Sequence, residues 1–257
     1  MRTPIKDPGP SLSGCLTHLK KIIPEQAEVS TVLFYGGNLE LNLAESGRNV
    51  TSFTNSYVVY EFWKYLLEDS FRIAEMVKFM HRRAEDDKKM FLHFQKEWVS
   101  YRDPFMRAAM FFLLNRCSST GYISSGDFEP EGVNVLSISY LVNCEPVNFD
   151  ISWLTNQDFV KSLDEQDIPG EYLIIPAGKF SYNFFEEGKN KGVEETTVDH
   201  HMLNRKFSSL KKKSVILYKY HPAAANLYKD FNVNMVDRFG RPTQEVSKCE
   251  DLIIANF

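Results

Sequence analysis

Gly170–Phe180 reads Gly-Glu-Tyr-Leu-Ile-Ile-Pro-Ala-Gly-Lys-Phe. Tyr172, Leu173, Ile174 and Ile175 form a short unbroken apolar run, the pattern of a parallel strand covered on both faces. Pro176, Ala177 and Gly178 are expected to end it. In open α/β sheets, ligands sit in the crevice just beyond the strands' carboxyl ends. The loop expected there offers no residue suited to acid, base or nucleophile chemistry. The stretch therefore points to the architecture of an active site without its reacting groups.

Working outward, the same strand-and-turn grammar recurs at both ends of the chain. Val29–Phe34 is β-branched and apolar and reads as a strand, turned by Tyr35-Gly36-Gly37-Asn38 into a helical pattern over Leu39–Glu45. Leu12–Ile23 reads as a short amphipathic helix stopped at Pro24, and Asn49–Phe53 as a weaker strand. Further on, Asn134–Tyr140 and Val147–Ile151 read as strands and Asn156–Leu163 as a short helix. Val198–Leu210 reads as a helix, Ser214–Tyr220 as a strand, Ala223–Phe231 as a helix and Asp251–Phe257 as a final edge strand. Between these halves, Val58–Leu67, Lys89–Tyr101 and Pro104–Arg116 are helical, with Pro104 suited to a first helical position. The charge run His81–Lys89 reads as a solvated helix face or a helix–helix turn. Cys117–Gly132 and Glu187–Glu195 read as loops. The order predicts a doubly wound α/β sheet, with a Rossmann-like core over residues 1–65 and 133–257 and a mostly helical insert over 66–132.

Composition sets the class. The chain has 257 residues, 43% of them hydrophobic and 14% aromatic, which supports a sizeable core rather than disorder. A formal net charge of −4 counts against a dedicated nucleic-acid binder, without excluding a local basic groove. Cys15, Cys117, Cys144 and Cys249 are scattered with no Cys-x-x-Cys pair, so no metal centre is expected. With no apolar signal core and no run of about 20 apolar residues, the expectation is a soluble cytoplasmic protein with reduced thiols and no membrane partner.

Five stretches, in order, resemble the Dam-type class of adenine-N6 DNA methyltransferases. They are Asp7–Pro24; Leu33-Phe34-Tyr35-Gly36-Gly37; Arg102-Asp103-Pro104 with Phe112-Leu113-Leu114-Asn115-Arg116, Gly121-Tyr122 and Gly126-Asp127-Phe128; Gln157-Asp158-Phe159 with Gly170–Phe180 behind it; and Asp199–Leu203 through the Val215–Tyr218 strand to Glu250–Phe257. The resemblance implies a Rossmann-like sheet of the S-adenosylmethionine-dependent methyltransferase kind, and fits a phage or bacterial source. It implies that Phe34, Tyr35, Gly36 and Gly37 form the loop that holds S-adenosylmethionine. It also implies that the helical insert, with Arg102, Arg107 and Arg116, faces DNA. In this family a target adenine is flipped from the duplex and received by an Asp-Pro-Pro-Tyr loop, whose carboxylate and aromatic ring orient the amine toward the methyl donor.

The chain departs from that pattern at each chemical group. Pro8-Gly9-Pro10-Ser11 stands where the family has Gly-Gly-Lys. The acid expected before the donor loop falls at Val32, and the acid expected at the end of the second strand falls at Thr54. The catalytic loop aligns with Pro176-Ala177-Gly178-Lys179, or one residue earlier from Ile175, and neither register supplies a carboxylate or an aromatic fourth residue. Phe180 and Tyr182 lie just beyond as a stacking surface. These coincident losses imply a homologue without methyl transfer that binds DNA or a protein partner, either with no cofactor or with S-adenosylmethionine still bound. The competing expectations are an active adenine methyltransferase with divergent motifs and a structural component of a larger assembly. A cleft beyond Ile175 filled by Tyr35 and Pro176–Phe180 is the expected sign of lost transfer.

Other candidates weigh toward structure. Lys211, Lys212 and Lys213 form the densest basic cluster, suited to phosphates or to ordinary solvated charge. Arg102, Arg107 and Arg116 either meet phosphates or pair with acids such as Glu97 and Asp103. His200-His201 reads as a solvated helix start capped by Asp199 rather than a metal pair. Cys117 reads as a plain thiol, and Ser118-Ser119-Thr120 lacks a matching His/Asp set.

Overall fold

A computed structural model describes residues 2–84, 88–155, 159–165, 168–180 and 198–257, leaving Gln157, Asp158, Tyr182 and Glu187–Glu195 outside the described residues. One seven-stranded sheet organises them, built from β1 (Glu28–Val32), β2 (Asn49–Thr54), β3 (Phe149–Trp153), β4 (Tyr172–Gly178), β5 (Lys213–Lys219), β6 (Asn232–Val236) and β7 (Asp251–Ala255). The spatial order is β3-β2-β1-β4-β5-β7-β6. The first five strands are parallel, and β7 runs antiparallel between β5 and β6. This is a Rossmann-like α/β sheet whose strand order reverses between β1 and β4.

The core follows from period-two alternation along each strand. Leu173 and Ile175, Ile216 and Tyr218, and Leu252 and Ile254 pack on one face, against α8 (Phe159–Glu165) and α9 (His200–Phe207). Tyr172 and Ile174, Val215 and Leu217, and Ile253 and Ala255 pack on the other, against α1 (Leu16–Ile22) and α2 (Asn38–Glu45). Both faces being covered explains why these strands read as continuous apolar runs.

The helices α3 (Tyr57–Glu68), α4 (Ser70–Ala84), α5 (Lys88–Glu97), α6 (Pro104–Cys117) and α7 (Val135–Val142) lie between β2 and β3 in the chain. They enclose a separate core around Phe62, Trp63, Phe111 and Phe112, with α6 at its centre. Helix α6 starts as its sequence dictates: Asp103 caps it by accepting from the Phe105 amide at 2.9 Å, and Pro104 occupies the first turn. A short helix, α10 (Pro222–Leu227), links β5 to β6. No helix among the described residues is long and apolar enough to cross a membrane.

Three expectations are corrected. Asn134–Tyr140 is helix α7, not a strand. Asn134 and Ser137 form a reciprocal capping box, with the Asn134 side chain accepting from the amides of Leu136 and Ser137, and that cap overrides the β-branched residues behind it. Strand β7 is not an edge: β6, to which the sequence reading assigned no element, covers it. Strand β4 does not end at Ile175 but continues through Gly178, with a register shift between Pro176 and Gly178. Such an irregularity is where a strand tolerates proline, which has no amide to donate.

Candidate functional site

A doubly wound sheet opens a crevice where its strand order reverses, here beyond the carboxyl ends of β1 and β4. A cavity of about 670 Å³ occupies that position. Its walls are the entry segment 7–13, Leu33, the turn and first helical residues 35–40, Tyr122, and the β4 exit 176–180. The expected filling is not found: the cleft is open, within the size range of about 300–1,000 Å³ usual for small-molecule pockets.

The turn between β1 and α2 forms one side. Leu33 adopts φ 63°, a left-handed conformation that is costly for a branched residue and marks the turn as constrained. Gly37 follows at φ 77° as the residue before α2, and a Cβ there would approach the Phe34 ring at 2.9 Å. Phe34 itself points away from the cavity. It is buried against Trp63 and Phe149, with ring centroids 5.0 and 5.7 Å away. Tyr35 lines the cavity but is held to the helical block. Its hydroxyl donates to the Gly121 carbonyl at 3.3 Å, and its own carbonyl accepts from the Trp63 indole at 2.9 Å.

Asn115 stitches these pieces together. Its side-chain oxygen accepts from the Lys6 amide at 2.7 Å, and its amide group donates to the carbonyls of Lys6 at 2.8 Å and Gly121 at 2.5 Å. The entry segment, the loop after α6 and, through Tyr35, the β1 turn are thereby fixed around one opening. Asn115 of the Leu-Asn-Arg element and Gly121 of the Gly-Tyr element have this bracketing role.

Two acids border the cavity, neither at a position the family pattern indicates. The Asp7 carboxylate accepts from the Gly9 amide at 3.0 Å and from the Gly36 amide. Asp7 is exposed as a residue, yet protein packs around its carboxyl group, and this desolvation raises its pKa despite the two amide donors. Glu40, in the first turn of α2, is buried at 4% exposure. Burial pushes its pKa up to about 7, with the nearby Asp7 charge adding to the rise; its own amide and the Thr31 hydroxyl act against it. Sequence reasoning missed both because it looked for acids at strand ends. Val32 is instead wholly buried in the core, and Thr54 is buried with its hydroxyl accepting from the Ser56 amide at 3.1 Å. Neither lines the cavity.

The β4 exit supplies the opposite side. Pro176, Ala177, Gly178 and Lys179 line the cavity, whereas Ile175 stays in the sheet core. Phe180 closes this side, stacked between His200 (centroids 4.5 Å apart) and His221 (5.2 Å). His200 therefore is not solvated, as the sequence had suggested. Apolar packing and a 2.8 Å hydrogen bond between its Nδ1 and the Tyr218 hydroxyl hold it in the core. Asp199 does cap α9, accepting from the Met202 amide at 2.9 Å.

The basic candidates lie elsewhere. Arg107 forms a two-pronged pair with Glu61 and donates to the carbonyls of Tyr101 and Arg102. Arg116 is partly buried, donating to the Gly132 carbonyl at 3.2 Å, while Arg102 is exposed. Asp103 pairs with Arg72 at 3.1 Å. Lys211, Lys212 and Lys213 sit at the amino end of β5, the far end of the sheet from the cavity. Lys212 donates to the Pro169 carbonyl, and Lys213 pairs with Glu171 at 2.6 Å. Cys117 is buried, and burial raises its thiol pKa to about 12. Among the described residues, no three His, Cys, Asp or Glu side chains are arranged to hold a metal ion.

No protein-family model matches the chain, and no curated protein does. Solved structures with a similar arrangement include a TehB-like SAM-dependent methyltransferase from Corynebacterium glutamicum. It is 6% identical with a TM-score of 0.38, over 96% of this chain and 88% of that one. Another is phosphoethanolamine N-methyltransferase 1 from Haemonchus contortus, in complex with phosphoethanolamine and S-adenosylhomocysteine. It is 11% identical with a TM-score of 0.35, over 92% of this chain and 38% of that one. The α/β assignment rests on the strand order itself.

Proposed function

We propose that this chain is a relative of the DNA adenine-N6 methyltransferases that retains a pocket for S-adenosylmethionine, has lost methyl transfer to adenine, and acts by binding DNA or a protein partner. The observation that carries the reading is the open cavity at the point where the strand order reverses, bordered by the Gly36-Gly37 turn. Its volume suits a nucleoside-sized molecule. Asp7 and Glu40 suit the ammonium and sulfonium groups of the donor. The fit is partial, since the end of β2 contributes no residue to the cavity wall. Loss of transfer is supported by the β4 exit, where Pro176–Phe180 presents no carboxylate to orient an adenine amine.

One observation favours a second reading, an active methyltransferase with divergent motifs. Glu40 has a pKa of about 7, in the range that suits a general base at neutral pH.

The test combines calorimetric titration of S-adenosylmethionine with incubation of labelled donor and adenine-containing duplexes. Saturable binding without incorporation is expected. Methyl incorporation into adenine overturns the loss of transfer, and absence of binding to folded protein overturns the donor pocket. Binding to duplex DNA that weakens steeply with salt separates a DNA partner from a protein one.

A further inference from the structure

The family pattern places its acids at the ends of the first two strands, and here Val32 and Thr54 stand there instead. Among the described residues, the cavity lining nevertheless carries two acids against one cation. Of the described charged side chains lining it, Asp7 comes from the entry segment and Glu40 from α2, and Lys179, exposed at the β4 exit, is a cation. We infer that Glu40, with Asp7 beside it, receives the positive charge of the bound molecule, so that this site selects an organic cation. The inference rests on the donor-pocket reading above and deepens it by naming the residue and the charge class.

A carboxylate as enclosed as Glu40 is expensive to ionise alone, and the adjacent Asp7 makes it more so. The groups around it are Asp7 from the entry segment, the Thr31 hydroxyl from β1, and its own amide in α2. The hydroxyls of Tyr35 and Tyr122 and the ammonium of Lys179 share the cavity walls. Apart from Lys179, none of these supplies a positive charge. A cation entering the cavity does, and so favours the ionised form. The neutral acid gives its proton to solvent, and the carboxylate then faces the ligand's charge. Binding and ionisation are linked, so each strengthens the other. The ligand's positive charge has two sources: the α-ammonium of the zwitterionic amino-acid end, present in both S-adenosylmethionine and S-adenosylhomocysteine, and the sulfonium, present only in the former.

The test is calorimetric titration of both molecules at pH 6 and pH 7, in buffers of different ionisation enthalpy. Both values lie below the usual α-amino pKa of about 7.7–8.0, so the ligands keep their charge. S-adenosylmethionine is expected to bind about fivefold more tightly at pH 7 than at pH 6, releasing about half a proton per molecule bound at pH 7. Glu40→Gln is expected to remove both effects. The same slope with S-adenosylhomocysteine assigns the contact to the ammonium; a slope with S-adenosylmethionine alone assigns it to the sulfonium. Binding of both that is indifferent to pH and releases no proton overturns this inference alone, as does an unchanged slope in Glu40→Gln. No binding at either pH overturns the donor pocket, and this inference with it. The wild-type proton release stands independently of how well the variant folds.

Discussion

Arg107 is the sharpest place to separate a DNA contact from a structural group. Its guanidinium donates through Nε to Glu61 Oε2 at 2.7 Å and through Nη2 to the other carboxylate oxygen. Nη1 donates to the carbonyls of Tyr101 at 2.6 Å and Arg102 at 3.0 Å. The Glu61 side chain is 5% exposed and that of Arg107 21%, so this is a largely buried pair joining α3 to α6. Replacing Arg107 with methionine keeps most of the stem volume but strands the Glu61 charge, leaving it a single 3.3 Å bond from the Tyr57 hydroxyl. Breaking a buried pair from one side costs about 3–5 kcal/mol. In a chain of this size that lowers the melting temperature by roughly 6–20 °C. Urea unfolding followed by circular dichroism reads the loss directly. The double variant Glu61→Leu/Arg107→Met should recover much of it, because no charge is then left unpaired. A cost below about 1 kcal/mol for Arg107→Met would put the pair in the class of exposed surface bridges and refute the reasoning. A stable variant with weakened DNA binding would make Arg107 a contact rather than a brace.

Stability should also report Glu40. Its folded pKa of about 7 lies above the unfolded value, so the stability it contributes as a neutral acid is complete below about pH 4.3 and lost as pH rises through 7. The stability of Glu40→Gln relative to wild type should therefore climb by roughly 3 kcal/mol between pH 4 and pH 8, and a flat difference in urea midpoints contradicts this. Gly36→Ala would place a Cβ 2.6 Å from the Asp7 side chain, forcing that carboxylate off its amide donors. It should weaken donor binding and cost about 1–3 kcal/mol. Gly47→Ala is the control: its φ of +87° strains any side chain, but nothing lies within 4 Å, so it should lower stability and leave donor affinity unchanged in the same titration.

The elements legible in the sequence are those whose side chains answer to one strong force. The runs in β1, β4 and β5 announce burial on both faces, and the Gly36-Gly37 turn announces a change of direction between β1 and α2. What was hidden depended on partners distant in sequence. Asn232 is exposed, residues 233–235 are partly buried and only Val236 is buried, so β6 carries a weak apolar signal and exists because β7 pairs with it. The run Leu252-Ile253-Ile254-Ala255 is buried at every position, a pattern that belongs to an internal strand and was misread as an edge because it lies late in the chain. Glu40 resembles an ordinary acid in the first turn of a solvated helix. Only the packing of α2 against β1 and the arrival of Asp7 from the entry segment give it a buried, acidic setting. Asn115 likewise read as part of a family signature, and its bracketing role needed Lys6, over a hundred residues away, to be in view.

The antiparallel β7 has a consequence for how this molecule comes into being. Strands β1 to β5 all precede it, so a five-stranded parallel platform can assemble on the ribosome as the chain emerges. Strand β6 cannot join that platform by itself, because its hydrogen-bonding partner is the later β7. The two dock as a hairpin once β7 has been made, when Leu252 and Ile254 close one layer and Ile253 and Ala255 the other. Until then the β7-facing edge of β5, Val215 to Lys219, has no strand to pair with, and such an open edge is a template for aggregation.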